Sequence, residues 1–174
     1  MPLTSKKQPK KWLRCKSNWL VHDEQQNIAR GGYCNRMTQN NQGNGTKENP
    51  WVLQTPPGTS EYMLYRDETL NPPALICTVG KTVLLYDLRC IEHLYTMLKE
   101  HGDWMELGSA DEQKEAKEGT VEAWGRSVHN PIGGWYGLKK GLRGRFGMYI
   151  PPLLEVLGLA EVEHKAKGNR MRAL

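Results

Sequence analysis

Eight cationic side chains fall within residues 137–174, in two groups. Lys139, Lys140, Arg143 and Arg145 lie in a glycine-rich stretch, and Lys165, Lys167, Arg170 and Arg172 surround a short basic loop. The chemistry open to such a set is phosphate contact. Nucleic-acid binding releases counterions, so affinity grows with the number of cations that reach phosphates. The same residues also suit a solvated basic surface, or docking on an acidic partner, within the chain or outside it. Gly141, Gly144 and Gly147 form a G-x-x-G-x-x-G run between these cations. Glycines let a backbone approach an anion, and successive N–H groups can cradle one. The run is neither a P-loop nor a dinucleotide fingerprint, and close packing and turns explain it better.

Other chemistries find less support. His93 and His101 are eight residues apart, about 12 Å along a continuous helix, too far to share one metal ion. His129 and His164 have no partner suggested by spacing, and neither a metal nor another cofactor is expected. No G-x-S-x-G or local cysteine–histidine pattern marks a nucleophile. Glu61, Asp67, Asp87, Glu92 and Glu122 can supply paired carboxylates only if the fold brings them together, and Asp87 reads better as a helix cap. Trp104, Trp124, Trp135, Tyr136, Phe146 and Tyr149 can stack bases, but filling a core is the commoner use. Cys15, Cys34, Cys77 and Cys90 contain no C-x-x-C pair and read as reduced, buried thiols of a cytoplasmic protein.

The elements that must position these residues are legible in outline. Trp51 to Leu53 is a short apolar run, followed by the breaker Pro56-Pro57-Gly58. Tyr62 to Arg66 reads as a strand. Ala74–Val79 and Thr82–Tyr86 flank Gly80-Lys81, which predicts a hairpin with a II′ turn. Leu88, Ile91, Leu94, Tyr95 and Leu98 fall at helical spacing, and Gly102 suits the left-handed cap. Ser109 and Glu112 resemble a capping box. Thr120 to Arg126 predicts a short helix anchored by Val121 and Trp124. Pro151-Pro152 opens another, with Leu153, Leu154 and Leu157 as its packed face and Gly158 as its stop. Ala160–His164 and Asn169–Ala173 read as two strands joined by the basic loop.

Charge divides the chain further. Residues 1–36 hold 8 Lys and Arg against 2 Asp and Glu, residues 37–136 hold 8 against 14, and residues 137–174 hold 8 against 3. Both ends are basic and the middle is acidic. The first 47 residues have too little apolar content to offset the entropy of ordering and are expected to form a disordered basic and polar tail. Met37 is a candidate natural start. No run is long enough to span a bilayer as a helix, and no apolar segment follows the basic N-terminus, so neither a membrane partner nor export is expected.

Four strings carry a family resemblance: Asn49-Pro50-Trp51 through Thr55-Pro56-Pro57-Gly58-Thr59-Ser60-Glu61-Tyr62; Trp104 through Gly108-Ser109-Ala110-Asp111-Glu112; Gly119-Thr120-Val121-Glu122-Ala123-Trp124-Gly125-Arg126; and Gly133-Gly134-Trp135-Tyr136-Gly137-Leu138. Together they resemble a family of small, functionally uncharacterised bacterial and archaeal proteins. The resemblance covers about residues 48–174. It implies no catalytic residues and supports a domain boundary at residue 48.

The sequence therefore predicts one α+β domain over residues 48–174. A small antiparallel sheet with a packed helix occupies 48–108. A winged-helix-like helical segment and C-terminal β-hairpin occupy 109–174. The leading functional expectation is nucleic-acid binding, DNA-directed, through the eight cations. The alternatives are a protein–protein interaction module or homodimer without catalytic activity, and thirdly a small-molecule enzyme.

Overall fold

Alternation of apolar and polar residues builds the first sheet. β1 (Trp51–Gln54), β2 (Glu61–Asp67), β3 (Ala74–Val79) and β4 (Thr82–Asp87) form an antiparallel meander in the order β1-β2-β3-β4. The register sets Trp51 opposite Leu64, Leu64 opposite Cys77, and Cys77 opposite Leu84. These side chains share the buried face, because strand residues alternate between faces. Val52, Met63, Thr78 and Val83 form the corresponding row on the other face. The Gly80-Lys81 turn joins β3 to β4 with Val79 opposite Thr82. Gly80 has φ +57° and Lys81 does not have positive φ. Positive φ at the first turn position alone is what a II′ hairpin requires.

The computed structural model describes residues 43–174. Cys15, Cys34, Met37 and the tail up to residue 42 lie outside the described residues. Within them, Gly45 packs against the Trp51 ring, and its carbonyl accepts from the Arg66 N–H at 2.9 Å.

Helix α1 (Cys90–His101) buries Cys90, Leu94 and Leu98 and ends at Gly102, whose φ is +72°. Asp87 does not cap it. Its Oδ1 accepts from the Arg89 N–H and Nε at 3.0 Å, closing a turn before the helix begins. No helix follows Ser109 as the capping-box pattern suggested; residues 109–119 run as turns and irregular backbone. Then come β5 (Met105–Glu106) and the short helices α2 (Val121–Trp124), α3 (Phe146–Tyr149) and α4 (Pro151–Val156). Thr120 caps α2 by accepting from the Ala123 N–H at 3.2 Å. β6 (Ala160–Val162) and β7 (Arg170–Ala173) form the C-terminal hairpin, and β5 joins its far side to give the order β5-β7-β6.

The α+β class read from the sequence is the observed one. One apolar cluster unites both sheets, with Leu64, Leu75, Leu94, Leu98, Leu153, Leu154 and Met171 among its members. Tyr62 links the first sheet to α3: its ring meets Tyr149 edge-on at 5.1 Å, and its hydroxyl donates to the Tyr149 carbonyl at 2.9 Å.

Candidate functional site

The eight predicted cations divide by their partners. Arg145 is paired with Asp111 at 2.6 Å and Arg143 with Glu112 at 3.8 Å. Glu163 takes both Lys165 and Arg170 at 2.8 Å, and Arg172 meets Glu161 at 2.7 Å. Arg145 holds the Asp111 carboxyl below the usual range, and the Gly141 and Arg143 N–H groups do the same for Glu112. Lys139, Lys140 and Lys167 are exposed, and no carboxylate lies within ion-pair distance of them among the described residues. Five of the eight cations are thus paired where they stand, by four carboxylates.

Two tryptophans collect four arginines. Arg126 and Arg143 lie over the Trp135 ring at 4.4 and 4.6 Å, and Arg170 and Arg172 over the Trp104 ring at 5.3 and 4.7 Å. Glu122 is fully buried, pairs with Arg126, and accepts from the Gly147 N–H at 2.7 Å. Burial pushes its carboxyl above the usual range despite these bonds. Arg126 also donates to the carbonyls of Ala110, Asp111 and Lys114, which fixes the irregular polar loop that stands where the capping-box pattern suggests a helix. The glycine run is consumed by a turn at Gly141, whose φ is +82°, and by packing at Gly144 and Gly147. Gly144 has φ +65°, and a Cβ there would strike the Tyr86 hydroxyl and Leu84. A Cβ on Gly147 would strike the Leu107 carbonyl oxygen. The Gly141 and Arg143 N–H groups do meet a carboxylate, that of Glu112 at 2.9 and 3.2 Å.

The two edges of the four-stranded sheet differ. β4 is covered: the Asp87 N–H donates to Tyr136 O at 2.9 Å and the Leu138 N–H to Leu85 O at 2.8 Å. β1 is open. The Thr55 N–H donates to Ser60 O at 2.9 Å. Bonded pairs alternate along an antiparallel ladder. Leu53–Tyr62 and Trp51–Leu64 are therefore the bonded pairs, and Val52 and Gln54 turn their N–H and C=O groups to the free edge. Among the described residues no backbone group bonds to these four atoms.

A groove of about 710 Å³ runs along this edge. Val52, Gln54 and Glu61 line it from the sheet, Glu155 and Val156 from α4, and His164 from beyond β6. His164 bridges its two walls: Nδ1 lies 3.2 Å from Pro56 O, and Nε2 lies 3.1 and 2.9 Å from the Glu155 carboxylate oxygens. Groups able to bond an incoming main chain thus line a concave surface.

From the sequence alone Glu61 is an unplaced carboxylate and His164 a histidine without a partner. The apolar run ending at Pro56-Pro57 was the available signal for β1. Its edge position needed the topology. Among the described residues, no group of three His, Cys, Asp or Glu side chains could hold a metal ion, and no helix is long and apolar enough to cross a membrane.

Comparison with known proteins places this geometry in a family without adding a function. The chain belongs to the family of unknown function DUF6855, which it matches over residues 43–174. No curated protein and no solved structure gives a significant match.

Proposed function

We propose that this chain is a non-catalytic binding module that takes up an extended peptide segment of a partner protein by strand addition at β1. The observation that carries this reading is the free edge of β1, whose Val52 and Gln54 main-chain groups border the groove beside α4. An added strand gains main-chain bonds from the edge and selectivity from side-chain sites on alternate residues. Four such bonds contribute about 0.5–1.5 kcal/mol each. The affinity then falls between about tens of micromolar and tens of millimolar. Only two residues of β1 present bonds outward, and short edge strands also limit unwanted pairing.

The test is a capped peptide of about seven alternating valines and threonines, observed by amide NMR. Binding slows exchange of the Val52 and Gln54 amides. The same peptide N-methylated at alternate amides, so that it cannot pair, does not bind. Val52→Pro removes one outward N–H without touching the β1–β2 ladder, and it lowers affinity. Equal binding of the methylated peptide, or no change at Val52 and Gln54, rejects strand addition.

A second reading keeps the nucleic-acid expectation in narrower form. Lys139, Lys140 and Lys167 are exposed and unpaired among the described residues, which favours phosphate contact at these three positions. In that reading α4 and the β6–β7 hairpin act as the helix and wing of a winged-helix-like unit. Three phosphate contacts give a log–log salt slope of about −3 on duplex DNA. Replacing the three lysines by alanine flattens the slope. Absence of binding to a fluorescent duplex at low salt rejects this reading.

A further inference from the structure

We infer that the segment taken up at β1 carries a lysine or arginine, which the groove reads through Glu61 and Glu155. This inference rests on the strand-addition reading and names the partner's chemistry. Glu61 and Glu155 both line the groove, and no lysine or arginine does among the described residues. Glu61 lies opposite Gln54, on the face of β2 turned from the core, and is exposed. Glu155 comes from α4, on the far side of the groove.

An added strand sends alternate side chains to opposite faces. Residues on the outer face stand beside Val52 and Gln54. Glu61 is then two strand spacings away, about 10 Å, a distance that two long side chains bridge. Residues on the other face point toward α4 and Glu155. Either face therefore offers a carboxylate to a cation and none offers a cation to a carboxylate. Among the described residues His164 is the one basic group at the groove, and it is already held between Glu155 and the Pro56 carbonyl. An acidic segment would bring its charge beside Glu61 and Glu155, and like charges side by side disfavour the wrong partner.

The experiment compares two capped peptides of about seven residues, one with two adjacent central lysines among valines and one with two adjacent central glutamates, so that each face carries one charge, with the valine–threonine peptide as reference. The full chain is titrated by amide NMR at low and at about 0.5 M salt. The expected result is binding of the lysine peptide about tenfold tighter than the glutamate peptide at low salt, with Val52 and Gln54 amides protected. The ratio shrinks at high salt and in Glu61→Gln, an exposed change that leaves the fold intact. Glu155→Gln shrinks it as well, and a folded spectrum for that variant guards against loss of the His164 contact. Equal affinities for the two charged peptides, with the edge amides protected, overturn the charge inference and leave strand addition standing. A lysine peptide that binds without protecting Val52 and Gln54 overturns both, since its cations then act elsewhere on the acidic surface. Failure of all three peptides to bind rejects strand addition, and the charge inference falls with it.

Discussion

The Trp135 cluster and the Trp104 cluster are built from the same parts and behave in opposite ways. Each sets two arginines over one indole, and in each an arginine is paired with a glutamate. In the first, Glu122 and Arg126 are almost wholly enclosed, with side chains 1% and 8% exposed. In the second, Arg170 and Arg172 remain 43% and 47% exposed. Burial raises the Glu122 carboxyl. The bonds from Arg170 and Lys165 pull Glu163 down to about 2. Environment, not residue type, sets the sign. The first cluster ties α2, α3 and the 110–114 loop together, while the second decorates a hairpin.

The sharpest way to break this comparison is Arg126→Met, which leaves the enclosed Glu122 carboxylate without its cation. Removing one partner of a buried ion pair strands the other, at a cost of about 3–5 kcal/mol. Chemical denaturation reads the loss directly. A change below about 1 kcal/mol would place Glu122 with surface pairs and dissolve the distinction. Replacing the pair together, Glu122→Leu with Arg126→Met, separates two explanations. If desolvation opposes the pair, the double variant recovers part of the single variant's loss. The recovery stays incomplete, because Arg126 also holds three loop carbonyls and Glu122 the Gly147 N–H. Next in size is Arg172→Ala. Its exposed pair with Glu161 and its contact with Trp104 contribute below about 1 kcal/mol.

How much of this was legible depended on how local the cause was. The Gly80-Lys81 hairpin and the Leu94–Leu98 stripe follow from neighbours in the chain, and both are present. Asp87 reads as the helix cap but lies two residues before the cap position: the turn it closes with Arg89 precedes the helix. Glu112 looked like a capping partner of Ser109, but its carboxylate serves the Gly141 and Arg143 N–H groups across the fold. The pairing of Arg172 with Glu161 was implicit in the expected hairpin, since these residues stand directly opposite. Those of Arg145 with Asp111 and Arg143 with Glu112 were not, because more than thirty residues separate each pair. The eight cations looked like an open surface because sequence lists charges without partners. The β1 groove was hidden for a related reason. Whether a strand lies at an edge is a property of the sheet order, and no feature of Trp51–Gln54 announces it.

The two clusters also predict opposite linkage to pH, and this gives the smallest but most specific effect. A carboxyl raised in the folded state binds its proton more tightly there than in the unfolded chain. The Glu122 contribution is therefore present below the unfolded value of about 4.5 and is lost as pH rises through the higher folded value. Glu163 runs the other way. Its contribution is present above about 4.5 and is lost as pH falls toward about 2. Carbon-detected NMR of the Glu163 carboxyl should show a midpoint near 2. Arg170→Ala should return it toward the ordinary glutamate range, because that guanidinium is the largest cause of the shift. A midpoint near 4.5 in the unaltered protein would mean that the Arg170 and Lys165 contacts are not kept in solution. Arg170 and Lys165 would then be free, and the phosphate-binding reading would regain these two cations, while Arg172 stays with Glu161.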